Sequence, residues 1–428
     1  MNTSYETKNK EQGMSDPNEN KPGYKKTKLG WIPEEWKIMK LKEILKSYRL
    51  GGNYRNIENG EGIPLIKMGN LGRGKIKLDK VDKVPYEKTI DKNDILQYND
   101  VLFNTRNTLE LVGKVAIWKN ELPYALYNSN LMRIVFKEEF VALNDFMNLA
   151  FNSNYSLRQL RAYAIGTTSV AAIYTRDLLK LKFFIPPLPE QQKIAQILST
   201  WDRAIEQTEK LIEKKQGLKK GLMQKLLSGK VRFPEFTKSW KDVKLGEIFS
   251  ERVERGYNNL PLLAITDHNG VMYRDQLDKK DTSNPDKSKY KRICPGDIGY
   301  NTMRLWQGRS ALSKLEGIVS PAYTIVTPNE KVDPLFMSYL FKLPKTIHLF
   351  YRYSQGLVSD TLNCKYKHFK LVHVQIPPYK EEQNKIANTL KTIDNEIDQL
   401  KTQNKLLQKQ KKGLMQQLLT GKTRVKTN

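Results

Sequence analysis

Few residues in this chain have the types and spacing that bond chemistry needs. The nearest candidate is Gly69-Asn70-Leu71-Gly72-Arg73-Gly74-Lys75, which has the spacing of a phosphate-binding loop up to its lysine. The next residue is Ile76, where such a loop needs a Ser or Thr to hold Mg. The following Lys-Ile-Lys-Leu alternates like a strand, so no helix N-terminus faces a phosphate. A glycine-rich turn is the expectation. All four histidines, His268, His348, His368 and His373, lie in the second half of the chain. No Ser-His-Asp or Cys-His constellation can therefore occur in both halves. The two cysteines, Cys294 and Cys364, lack metal-ligand spacing and suggest a reduced protein without a disulfide framework. Asp100 and Asp297 recur at matching places before apolar runs, and each reads as a turn cap. The expectation is a chain that makes and breaks no bonds: no catalytic residue, no cofactor-binding residue and no metal ligand.

A second near-motif supplies the competing view. Ile376-Pro377-Pro378-Tyr379 resembles the proline-proline-aromatic motif of adenine methyltransferases. That motif opens with Asp, Asn or Ser to hydrogen-bond the target amino group, and Ile cannot. Its counterpart, Ile185-Pro186-Pro187-Leu188, lacks the aromatic as well. Both read as the start of a helix, which cannot run back through those prolines. The alternative is a DNA-modifying enzyme with its own catalytic site, an adenine methyltransferase or a nuclease.

Each proline pair leads into one copy of a repeat. Glu190–Arg232 returns, without a gap and with about half its positions identical, as Glu382–Arg424. Both copies lack proline and are rich in Leu, Lys, Gln and Glu, which favours helix. Apolar residues step by fours and threes, a heptad seam. In the first copy the seam is Ile194, Leu198, Trp201, Ile205, Ile212, Leu222 and Leu226, interrupted by Thr208, Lys215 and Lys219. In the second it is Ile386, Leu390, Ile393, Ile397, Leu400, Leu407, Leu414 and Leu418, interrupted by Asn404 and Lys411. Gly229 and Gly421 sit where C-terminal caps belong. Seams this long face another helix, and the partner each copy calls for is the other copy.

The repeat also covers the segments that open each half. Trp36-Lys37-Ile38-Met39-Lys40-Leu41-Lys42-Glu43-Ile44 returns as Trp240-Lys241-Asp242-Val243-Lys244-Leu245-Gly246-Glu247-Ile248. Between opening and closing segments the halves diverge. Strands are expected at Ile63–Met68, Lys75–Leu78, Asp100–Asn104, Lys114–Trp118 and Met132–Phe136, then at Leu260–Thr266, Asp297–Asn301 and Ala322–Thr327. Helices are expected around Val141–Arg161 and Pro334–Phe341. Ile165-Gly166-Thr167-Thr168 matches Gln355-Gly356-Leu357-Val358 in position. The expected fold class is an α/β (α+β) tandem repeat: two domains of one fold, with two long helices pairing as an antiparallel coiled coil.

The formal net charge of +27 is spread through both halves and predicts a polyanionic partner. Basic residues interleaved with aromatics and amides fit nucleic acid. The DNA-contact candidates are Arg73, Lys75, Arg106, Asn107, Arg158, Arg161, Tyr163 and Thr167 in the first half. In the second they are Arg274, Lys291, Arg292, Arg304, Arg352, Tyr353 and Gln355. Residues 1–28 are polar and charged and read as a disordered tail. No apolar run is long enough to span a bilayer and no secretory signal is seen, so the expectation is a cytoplasmic protein without membrane attachment.

Taken together, IPPLPEQQKIA, KKGLMQKLLSGK and the Trp-x4-Leu-x-Glu-Ile opening, repeated once, resemble the specificity subunit of type I restriction-modification systems. The resemblance covers Leu29–Arg424. It implies a first target-recognition domain at 29–185, a central spacer helix at 186–232, a second recognition domain at 233–376 and a C-terminal helix at 377–424, with 425–428 as a tail. It implies double-stranded DNA as ligand, each domain reading one half of a split, asymmetric target. It implies as partners two copies of the methyltransferase subunit docked on the helices, and the restriction (endonuclease and translocase) subunits. S-adenosylmethionine and ATP with Mg would belong to those partners, leaving no cofactor in this chain. The long helix would then set the spacing between the half-sites.

Overall fold

The computed structural model describes residues 18–58, 60–266, 270–277 and 284–427. The chain divides into two units. One holds the chain up to Gln207 together with the segment from Asn404; the other holds Thr208–Gln403. Each unit therefore combines one α/β domain with a part of each long helix.

In the first unit the central sheet runs in the order Leu45–Leu50, Leu131–Phe136, Val101–Asn104, Val115–Ile117, with every pairing antiparallel. The second unit has the same order: Phe249–Glu251, Tyr323–Pro328, Ile298–Asn301, Ser310–Leu312, again all antiparallel. The repeated opening segment explains itself here. Lys37–Lys40 pairs antiparallel with Lys182–Ile185, and Lys241–Lys244 pairs with His373–Ile376. Each ladder carries the chain into the proline pair and the start of a long helix. The Leu and Ile that close each opening segment, Leu41 and Ile44 or Leu245 and Ile248, are buried beneath it.

Aromatic side chains fill both cores. Phe151 meets Phe183 edge-on at 4.7 Å in the first unit. In the second, Tyr300 stacks on Phe369 at 5.3 Å, and Phe341 meets Phe350 edge-on at 5.3 Å. Each such ring, fully buried, contributes about 1.5–3 kcal/mol from apolar area removed from water.

The long helices span Leu188–Leu226 and Lys380–Leu418. The first starts two residues before the repeat, with Pro189 tolerated in its first turn because that turn needs no backbone donor. Both stop at a glycine in the left-handed region, Gly229 at φ 68° and Gly421 at φ 72°. Beyond each glycine an amide folds back, Val231 N–H to Lys225 O and Thr423 N–H to Gln417 O, both at 3.3 Å. Ion pairs give the helices' relative direction within each unit. In the first unit Asp202 meets Lys411 and Glu190 meets Arg424. In the second Lys215 meets Glu396 at 2.7 Å, and Lys219 meets Asp394. Numbers rise along one helix as they fall along the other, so the pairing is antiparallel in both units. The lysines that interrupt the seam are accounted for: Lys215, Lys219 and Lys411 each extend to a carboxylate on the facing helix.

Several expectations need correction. The tail does not reach residue 28. Asn18 is buried and donates from Nδ2 to Lys422 O at 3.0 Å, and Tyr24–Thr27 pairs antiparallel with Gly30–Pro33. Residues 1–17 lie outside the described residues. Lys75–Leu78 is no strand; only a single bridge joins Leu71 to Ile76. The helix expected over 141–161 is two, Asn144–Phe151 and Asn154–Tyr163. Ser153 breaks it, because its hydroxyl caps the second helix by accepting the Ser156 N–H at 3.2 Å. His268 lies outside the described residues.

Candidate nucleic-acid interface

One face of each domain is built the same way in both units. In the first, the loop after Val101–Asn104 turns at Thr105. The Thr105 N–H donates to Asn130 O at 3.0 Å, and its carbonyl accepts the Ile173 N–H at 3.0 Å. In the second, the Thr302 N–H donates to Ala322 O at 3.1 Å, and its carbonyl accepts the Cys364 N–H at 2.8 Å. Each loop is thereby tied to the base of a hairpin that comes after a helix. In the first unit the helix is Asn154–Tyr163 and the hairpin joins Ile165–Gly166 to Ala171–Ala172, which also pairs with Arg106–Asn107. In the second the helix is Pro344–Tyr353, and Gln355 bridges Asn363.

This framework gathers most of the first-half candidates. Arg106 and Asn107 form a strand of the small sheet, Thr167 lies at the hairpin tip, and Arg158, Arg161 and Tyr163 lie on the helix before it. Arg73 approaches the same loop, its guanidinium donating to Glu110 O at 3.4 Å. Arg106, Arg158 and Arg161 are exposed, and none has an ion pair among the described residues. Burial, and then the Arg161 charge, pull Arg73 below its ordinary pKa. Burial, and then Lys77 and Arg73, lower Lys114 in the same way. Like charges are crowded here, and the Glu110 carboxylate acts on Lys114 alone of the two. Lys77 and Lys114 escape sequence reasoning, since nothing in the pattern places either beside Arg73. Lys75 is exposed on the glycine-rich turn. Asn70 closes that turn, its Nδ2 donating to Lys77 O at 2.9 Å and Lys80 O at 2.7 Å.

In the second unit Arg304, Arg352 and Gln355 occupy the equivalent face, all three exposed. Neither arginine has an ion pair among the described residues. Tyr353 and Tyr163 are half-buried against their domain cores, so they brace the helix ends beneath the hairpins. The remaining candidates stand elsewhere. Arg274 comes directly after the hairpin of Leu263–Thr266 and Gly270–Tyr273. Lys291 is 8 % exposed and pairs with Glu251 at 3.5 Å. Arg292 is held between Glu316 and Glu254 with its guanidinium over Tyr257. The last two charges are consumed inside the domain, which the sequence pattern could not reveal.

Asp100 and Asp297 both accept a backbone N–H from three residues back, Gln97 at 2.8 Å and Cys294 at 2.8 Å. Each also takes an arginine, Arg133 at 3.2 Å and Arg252 at 2.7 Å. These are turn caps, as their placement suggested.

A second arrangement recurs where each long helix begins. Glu190 is buried and accepts the Trp36 indole N–H at 2.9 Å, with Arg424 at 2.9 Å. Glu382 is buried and accepts the Trp240 indole at 3.2 Å, with both Nε and Nη2 of Arg232 at 2.8 Å. Beside them, the buried Gln191 accepts the Ala142 N–H, and the buried Gln383 accepts the Asp333 N–H. A tryptophan, a glutamate and an arginine thus fasten helix to domain in both units.

The seam residues are all buried or half-buried. Ile194, Leu198, Leu414 and Leu418 join the core of the first domain, and Leu222, Leu226, Ile386 and Leu390 that of the second. Trp201, Ile205, Ile212, Ile393, Ile397, Leu400 and Leu407 lie between those ends. The outer seam positions thus also serve as domain core.

The sequence profile described as the type I restriction modification DNA specificity domain matches residues 33–214 and again 237–409. The chain belongs to this family. A protein assigned as the specificity subunit of the MjaX type I restriction enzyme of Methanocaldococcus jannaschii is 30% identical over 94% of this chain and 97% of its own length. The MjaVIII type I restriction enzyme specificity subunit of the same organism is 31% identical over 49% of each chain. The crystal structure of a type I restriction-modification S subunit from M. genitalium covers 90% of this chain and 96% of its own at a TM-score of 0.57 and 16% identity, a likeness of fold. The family profile falls twice on the chain, once on each half, and both matches run into a long helix. No helix among the described residues of this specificity-family chain is long and apolar enough to cross a membrane.

Proposed function

We propose that this chain is the DNA-reading subunit of a type I restriction-modification complex, and that each domain reads one half of a bipartite, asymmetric DNA target. The single observation that carries the reading is the pair of equivalent basic faces. In each, exposed arginines without carboxylate partners among the described residues stand on a loop and on a helix that flank a hairpin fastened to the core, which suits phosphate contact and base readout. The two faces differ in side chains, so the half-sites differ in sequence.

The long helices space the half-sites and dock partner subunits. Each is an unbroken run of 39 residues, about 58 Å at 1.5 Å per residue. Support for docking comes from Gly221 and Gly413. Both lie inside helices, where glycine costs about 1 kcal/mol against alanine. A Cβ added at either meets no atom within 4 Å. Nothing among the described residues calls for the missing side chain, and a partner's close approach would. The partners are two copies of a methyltransferase subunit, followed by restriction subunits. S-adenosylmethionine, ATP and Mg belong to them, and the chain itself transfers and cuts nothing.

The test is reconstitution. The purified chain with DNA and S-adenosylmethionine gives no methylation, and activity appears on adding the methyltransferase subunit. Methylation or cleavage by the chain alone favours the enzyme alternative and overturns this reading. Replacing Ile63–Ile173 with the matching segment of a relative changes one half-site only; a change in both refutes the two-module assignment.

A further inference from the structure

The hairpin of the second domain presents an apolar tip to solvent. Leu357 is 101% exposed and Val358 60%. That exposure is built in, because several contacts hold the turn. The Thr361 hydroxyl donates to Val358 O at 3.0 Å, and Asn363 Nδ2 donates to Gln355 O at 2.9 Å. Gln355 and Asn363 exchange backbone hydrogen bonds at 2.8 Å. At Gly356, φ is 150° and an added Cβ would lie 2.7 Å from the Thr361 carbonyl, so only glycine fits this turn. The hairpin of the first domain turns on an equivalent glycine, Gly166, at φ 138°. Its tip carries Thr167, Thr168 and Ser169 where the second carries Leu357, Val358 and Ser359. The first hairpin exposes Val170 just before its return strand, 67%, but directly after the glycine it displays hydroxyls where the second displays Leu357 and Val358.

An exposed leucine invites a protein or a base as its occupant, and the surroundings decide between them. The loop tied to the hairpin base carries Arg304, and the helix before it carries Arg352 in its last turn, both exposed and without ion pairs among the described residues. An apolar tip beside exposed guanidinium groups that have no carboxylate partner among the described residues matches a phosphate-walled groove with a methyl group on its floor. In the major groove only thymine offers that methyl group among the unmodified bases. We infer that Leu357 is a specificity-determining residue, packing on a thymine 5-methyl group in the half-site read by the second domain. The inference rests on the proposed DNA-reading function.

The experiment uses the full chain assembled with its methyltransferase subunit. Methylated positions in genomic DNA are mapped for the wild type and for Leu357→Ala, which loses no internal packing. The expected result is relaxed selection at one thymine of one half-site, with the other half-site unchanged. Binding is then measured on the mapped duplex with 2′-deoxyuridine at that thymine. Loss of one buried methyl predicts about a fourfold drop for the wild type, and no further drop for Leu357→Ala. A half-site without thymine, unaltered selection in the variant, or equal wild-type affinity for both duplexes overturns the inference and leaves DNA reading intact. Weakened subunit assembly with unchanged specificity also overturns it, by making Leu357 a protein contact. If the wild-type complex fails to bind the mapped duplex, the DNA-reading function falls as well.

Discussion

Arg232→Ala tests the fastening between helix and domain most sharply. Glu382 has no exposed side-chain surface, and Arg232 retains 21%. The arginine contacts both carboxylate oxygens at 2.8 Å, leaving the Trp240 indole at 3.2 Å as the other side-chain donor to the group. Removing the arginine strands a buried charge, which typically costs about 3–5 kcal/mol. Water reaching the partly exposed arginine site lowers that, so about 2–4 kcal/mol is expected. The sister contact is weaker by construction. Arg424 is 36% exposed and divides its guanidinium between Glu190 and Glu35, so Arg424→Ala should cost less. The assay is urea unfolding followed by circular dichroism, comparing midpoints at unchanged slope. Adding Glu382→Gln to Arg232→Ala should recover a large part of the loss, since the stranded charge disappears while an acceptor for Trp240 remains. A loss below about 1 kcal/mol, or no recovery in the double variant, would refute the argument that a buried charge holds this junction.

Binding to DNA should weaken steeply with salt, and Arg161→Ala should reduce the log–log slope by about one if this exposed arginine meets a phosphate; an unchanged slope removes it from the interface. Asp297→Asn should destabilise the chain by about 1–3 kcal/mol, because Arg252 keeps Glu254 but loses the carboxylate that is only 2% exposed; thermal unfolding reads this. Gly221→Ala and Gly413→Ala should each stabilise the chain by up to about 1 kcal/mol and weaken capture of the methyltransferase subunit. Unimpaired capture would argue against docking there. Matched four-residue insertions near Lys215 and near Glu396 add about 6 Å to each helix. They should widen the unread gap by one or two base pairs of 3.4 Å; an unchanged gap in an active variant would show that another element sets it.

Local rules carried what could be read from the sequence. The proline pairs, the heptad and the closing glycines mark both long helices to within a few residues, because helix starts, faces and stops are set by neighbouring residues. Asp100 and Asp297 were legible as turn caps for the same reason. The seam lysines were not legible as ion-paired positions, since Glu396, Asp394 and Asp202 lie far along the chain. Charge alone also did not show that Lys291 and Arg292 are ion-paired within the domain. Their carboxylate partners Glu251, Glu254 and Glu316 are brought to them by sheet pairing, which composition does not encode. The hairpin tips were visible only as a weak alignment around Gly166 and Gly356. Their exposure and bracing are tertiary facts.

The two recurring arrangements divide the chain's burdens. The fastening uses Glu190 with Arg424 and Glu382 with Arg232, so the arginine after each long helix serves the glutamate that begins the other. Neither copy of the helix repeat, Glu190–Arg232 or Glu382–Arg424, completes a fastening with its own glutamate and arginine. A substitution there disturbs a buried charge and is felt by the fold at once. The hairpin faces carry the opposite constraint. Beyond Gly166 and Gly356, their backbone hydrogen bonds accept many side chains, and the tips touch little of the chain. Leu357 can become another residue without leaving a cavity or an unpaired charge. The physics thus permits side chains to vary at each tip while the frame that holds each hairpin stays fixed, a combination that suits the DNA reading proposed for these faces.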